Sequence, residues 1–181
     1  MKKLIIIIIA LCLGSCSQPE QNSDESDSDS ISSTTKSMPE KIPDDFNFSV
    51  QFGVGKKNEI NTFKGTVTKD LISDGTATTE IILTDLELND IYEKMKEVNI
   101  IETKTFIPEP IDGMVCVQQP HGEDIWEIII KGETIIYSFS EEYCEPTNDA
   151  EELMDLRNYV FDIIKSKDEY KELPPSKGGY D

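Results

Sequence analysis

An α+β fold is what this sequence predicts: antiparallel β-structure, in one or two sheets, covered by two helices in the coarse order βββα-βββα. Three observations predict it. Several short runs alternate apolar with polar residues at the strand period, turn residues separate those runs, and two stretches repeat apolar residues at helical spacing behind a capping signal. All of them fall in residues 44–175, a segment of about 130 residues that suits a single domain and can bury a sizeable core.

The run "FNFSVQFGVG" places Phe46, Phe48, Val50 and Phe52 on one side of a strand with a single buried face. Gly55 to Asn58 reads as a turn, "EINTFKGTVTKDL" as a second strand, and Ser73-Asp74-Gly75 as the turn before a third, "TATTEIIL". Strands joined this closely pair antiparallel, as a meander. Thr84, with Glu87 three positions on, makes a capping box that satisfies two backbone donors at a helix start. Leu88, Ile91, Tyr92, Met95 and Val98 then share one helical stripe, expected in the core.

In the second half "MVCVQQ" is expected as a strand and Pro120 to Asp124 as a turn. "IWEIII" and "TIIYSF" flank Lys131-Gly132-Glu133 as a hairpin. Asn148 and Glu151 cap a final helix with its stripe at Leu153, Leu156, Val160, Ile163 and Ile164. Beyond it, residues 176–181 form a C-terminal tail. The ending "EYKELPPSKGGYD" either frays or is strapped back through Tyr170, Leu173 and Tyr180.

The amino end has a different character. After Met1-Lys2-Lys3, residues Leu4 to Leu13 run without a charge. A positive start, an apolar segment of about ten residues and a small-residue exit describe a secretory signal. A spanning helix needs roughly 20 apolar residues, so this run is too short. Leu13-Gly14-Ser15 then precedes Cys16. The run is similar to the lipobox of bacterial lipoproteins, in which an aliphatic residue and two small ones stand before a cysteine. The resemblance implies that residues 1–15 are a signal peptide, cut between Ser15 and Cys16. It also implies that the Cys16 sulfur carries a diacylglycerol, with acyl chains such as palmitate, that holds the protein at the outer face of the cell membrane. Cys12 follows the bulky Leu11 and is read as an apolar member of the signal. The alternative is an ordinary secretory signal with an accidental cysteine.

More broadly, the chain resembles small lipoproteins of low-GC Gram-positive bacteria that have no known function. The likeness lies in the lipobox, the acidic segment after it, "PDDFNFSVQFG" and "EYKELPPSKGGY". It implies an extracytoplasmic, membrane-anchored location and no activity.

Residues 16–43 are expected to be the lipidated cysteine and a disordered acidic tether. "SDESDSDSISSTTKS" offers little to bury, so chain entropy outweighs folding there. A coil of this length reaches roughly 30 Å, and further if its acids repel one another. Asp24, Asp27 and Asp29 lack the spacing, glycine and closing glutamate of a calcium loop. Removing residues 1–15 takes away Lys2 and Lys3 and no acid, so the formal charge of −19 becomes −21. Such a surface is repelled by nucleic-acid phosphates and by anionic headgroups, and no nucleic-acid partner is expected.

With Cys12 discarded and Cys16 lipidated, Cys116 and Cys144 remain. Outside the cytoplasm such a pair favours a disulfide over two separate buried thiols. Catalytic constellations are scarce. His121 is the one histidine, in the turn-like "QQPHGED", so a histidine metal site lacks ligands and none is expected. No G-x-S-x-G elbow presents a serine, and "GVGKK" lacks the spacing of a phosphate loop. Arg157, the one arginine, lies on the last helix. It could clamp a carboxylate, or pair on an exposed face with Glu152 or Asp155.

No catalytic residue and no cofactor is therefore expected. The sequence supports a membrane-anchored domain that binds an envelope protein or ligand. The alternatives are a carboxylate-dependent glycoside hydrolase of the cell wall and a solute-capture lipoprotein of a transporter.

Overall fold

The computed structural model describes residues 37–181. The elements run β1 (Asn47–Phe52), β2 (Asn58–Asn61), β3 (Thr66–Ile72), β4 (Gly75–Glu80), α1 (Asp85–Glu97), β5 (Glu123–Ile130), β6 (Glu133–Ser140), α2 (Asn148–Ser166) and the single turn α3 (Asp168–Lys171). The fold is α+β. Its six strands form one antiparallel sheet in the order β4-β3-β2-β1-β5-β6. The signal of residues 1–15, the expected lipidation site at Cys16 and the tether as far as residue 36 lie outside the described residues.

Period-two alternation builds the core. Phe48 and Val50 on β1 are wholly buried, and their cross-strand neighbours Ile128, Trp126 and Ile60 share that face. Against it lie Ile91, Tyr92 and Met95 of α1 and Leu153, Leu156, Val160 and Ile164 of α2, in one hydrophobic cluster. Each such side chain contributes about 1.5–3 kcal/mol by leaving water. The opposite face of the sheet carries Asn47, Gln51, Glu127 and the exposed Ile136.

Both helices start on side-chain caps. At α1 the capping box is complete, with Glu87 N–H donating to Thr84 and Thr84 N–H donating to Glu87. At α2 the cap is Thr147, one residue ahead of the expected Asn148, because its hydroxyl accepts from Ala150 N–H.

The expected order βββα-βββα is corrected in both halves. In the first, "EINTFKGTVTKDL" breaks into β2 and β3 at Thr62-Phe63-Lys64-Gly65. Gly65 takes a φ of +62°, and Asn61 Oδ1 accepts from Lys64 N–H, closing the turn. In the second, "MVCVQQ" is not a strand and makes single bridges only, Ile111–Met114 and Val117–Tyr143. Asp112-Gly113 bends the chain just before it, and Pro120, which has no N–H for a ladder, follows. The observed order is four strands, a helix, two strands and two helices. The hairpin of β5 and β6 is present, with Lys131 and Gly132 both at positive φ and their N–H groups bonded to Asp45.

Packing begins ahead of residue 44: Met38 is buried in the core, and Tyr92 donates its hydroxyl to Pro39 O at 2.8 Å. The carboxyl end is strapped back. Tyr170 packs edge-on against Phe161, Lys177 bonds to Leu71 and Ser73 beside the β3–β4 turn, and Tyr180 donates to the buried Asp70.

Candidate functional site

Two constellations carry chemistry that hydrophobic packing does not explain. The first is a buried charge cluster at the start of β5. The strand period puts Asp124 in phase with Trp126 and Ile128, so its carboxylate enters the interior, with no solvent exposure. Helical spacing puts Arg157 in phase with Leu153, Val160 and Ile164, so its guanidinium enters from the opposite layer. Arg157 Nη1 donates to Asp124 Oδ1 at 2.8 Å and also to Glu141 Oε1, just beyond β6. The Phe52 ring stacks 5.5 Å from the guanidinium carbon.

One cation therefore faces two acids. Burial pushes the Asp124 carboxyl up to about 7, a rise that Arg157 opposes and the like charge of Glu141 adds to. Asp124 Oδ2 and Trp126 Nε1 are buried without a protein partner. The backbone fits closely around the cluster: a Cβ at Gly122 would stand 3.0 Å from Glu141 Oε1.

A surface hollow beside the cluster is lined by Pro120, His121 and Glu123, and neither Asp124 nor Glu141 lines it. Glu123 pairs with Lys56, whose hydrogen bond holds its carboxyl below the usual range. His121 Nδ1 lies 3.2 Å from Gln118 O. The two acids thus converge on Arg157, and the bond to Asp124 ties β5 to α2.

The second constellation is a projecting loop. Cys116 and Cys144 form a disulfide, with Cα atoms 5.4 Å apart. On one side of it the chain forms a finger whose tip is the turn Ile111-Asp112-Gly113-Met114. Ile107, Ile111, Met114 and Val117 are 70%, 66%, 73% and 59% exposed, and Val115 is 39% exposed. A hollow of about 180 Å³ lies along it, lined by Ile111, Met114, Glu109 and Glu145 among others. Exposed apolar side chains clustered within eleven residues mark an interaction site better than scattered ones do.

The structure thus brings together two of the residues singled out in the sequence, Cys116 and Cys144. Of the two readings of Arg157, the exposed pairing with Glu152 or Asp155 is corrected: the side chain is buried and bonds the carboxylates of Asp124 and Glu141. Ser15 and Cys16 lie outside the described residues. Asp124 and Glu141 were not singled out, although a signal existed: Asp124 falls on the apolar phase of its strand, and Arg157 on the apolar phase of its helix. Among the described residues no helix is long and apolar enough to cross a membrane. No group of three or more His, Cys, Asp or Glu among them could hold a metal ion. Compared with models of known protein families and with curated proteins, the chain matches none.

Proposed function

We propose that this is a lipid-anchored domain on the outer face of the cell membrane, held through Cys16 on an acidic tether, that works by binding another envelope component. The observation that carries the binding half is the finger, which clusters the exposed Ile107, Ile111, Met114 and Val117 within one loop of a protein of net charge −19. The anchoring half rests on Leu13-Gly14-Ser15-Cys16 behind a short apolar run. Two buried acyl chains, at about 0.8 kcal/mol per CH₂, hold far more firmly than one.

A hydrolase reading has one point in its favour: burial raises the Asp124 carboxyl to about 7, the direction a general acid needs. Its carboxyl is fully buried and pinned by Arg157, and the neighbouring hollow is lined by other residues, so binding has the stronger support. The test of anchoring is Cys16→Ser in producing cells. The variant is expected unlipidated, and either released or stalled before processing. Normal membrane retention in cell fractionation overturns the anchor, and release of reducing sugar from peptidoglycan by the purified protein, lost in Glu141→Gln, overturns the binding reading.

A further inference from the structure

We infer that the finger seats its Ile111–Met114 tip in an apolar pocket rimmed by Lys or Arg on a partner protein. This rests on the binding reading above and names the chemistry of the partner.

The tip has a preset shape. Ile111 and Met114 exchange both backbone hydrogen bonds at 3.0 Å, and Asp112 and Gly113 take φ of +52° and +76°. That is a two-residue turn of the kind that sets two side chains next to each other. Both legs of the finger are fixed. On one leg stand the Cys116–Cys144 disulfide and the bonds Cys144 N–H to Cys116 O and Gln118 N–H to Glu142 O. On the other, Thr105 N–H donates to Asp149, Thr147 donates to Thr105 O, and Phe106 stacks on Phe139 with ring centres 4.9 Å apart. A loop fixed at both ends loses little conformational freedom on docking, so more of the buried apolar area appears as affinity. Met114 adds an adaptable, polarisable side chain at the point of insertion.

Charge selects the occupant. Residues 105–130 and 141–156, which include the finger and the segment bonded to it, contain no Lys or Arg. Glu109 and Glu145 line the hollow with Ile111 and Met114, and Asp112 sits in the turn itself. An apolar tip inside an acidic collar fits a pocket with a basic rim, which also speeds encounter. A second copy of this chain presents the same collar and the same net charge of −19, and is repelled. A bilayer would have to take those carboxylates toward its apolar layer, at a high desolvation cost, and anionic headgroups add repulsion.

The test is a photo-crosslinking amino acid in place of Val115 in the full-length chain, made in cells that produce the protein. The expected result is one dominant protein adduct whose crosslinked peptide lies beside Lys or Arg. Its yield falls about tenfold or more with Ile111→Asp or Met114→Asp, and falls as salt is raised. Circular dichroism of the two variants, expected unchanged, separates lost docking from lost folding. Vesicles of phosphatidylcholine, alone or with phosphatidylglycerol, are expected not to bind the purified Cys16→Ser protein. The inference is overturned by no protein adduct, by an adduct only to lipid or to a second copy, or by an adduct indifferent to both tip substitutions. If Cys16→Ser abolishes the adduct while the tip variants keep it, the anchor stands and the finger fails. If the tip variants abolish it while Cys16→Ser stays at the membrane, the finger stands and the anchor fails.

Discussion

Asp124 is a carboxylic acid with no solvent exposure. Its carboxyl is raised in the folded state, so the native protein binds more protons than the unfolded chain between the ordinary carboxylate range and about pH 7. The contribution of this group to stability is therefore fully present below about pH 4. It is lost as the pH climbs through about 7, where the cluster takes on a charge in the interior. Asp124→Asn removes that titration while keeping the shape and the bond from Arg157. Relative to the native protein, the variant should gain stability as the pH is raised from 5 to 8, measured by urea unfolding at each pH. A difference that does not change with pH would sink this account. The residues involved were half legible: Arg157 stood out as the one arginine, but a carboxylate among many acids is not distinguishable until the strand phase is used to ask which of them points inward.

The elements were the most legible level. The first strand, the hairpin of β5 and β6 and both helical stripes follow directly from periodicity, and the capping box at Thr84 and Glu87 is present as read. That box also reaches across the fold, because Lys167 at the end of α2 donates to Glu87 at 2.8 Å. Thr84→Ala should therefore cost about 1 kcal/mol, read as a lowered urea midpoint, with the helix content of the native state unchanged. An unchanged midpoint would show the cap to be idle. The failures have particular causes. Phe63 and Thr62 are good strand residues by type, so the turn between β2 and β3 was marked only by Lys64-Gly65 inside an apparently continuous run. "MVCVQQ" alternates like a strand but meets residues 142–144 only over a short stretch, in one bridge and two hydrogen bonds, and side-chain pattern alone does not reveal how short a pairing is.

At the level of the whole molecule, the loop closed by Cys116 and Cys144 joins the finger to the segment between β6 and α2. Their separation of 28 residues gives about 3–4 kcal/mol of stabilisation in the chain-entropy account. The double variant Cys116→Ser, Cys144→Ser should lose stability by about that amount in guanidinium unfolding, and reductant should lower the native protein toward it. Equal midpoints with and without reductant would contradict this. The cysteine arithmetic made the pairing legible, whereas the finger it supports was hidden, because exposure cannot be read from apolar residue types. A pull applied at residue 37 first meets Met38 in the core and the Tyr92–Pro39 bond, and then β1, which has neighbours on both sides. Traction along β1 must shear two ladders at once, where an edge strand would peel open one bond at a time. In the anchored state proposed above, load entering at the amino end would therefore fall on a strand held from both sides rather than on an edge.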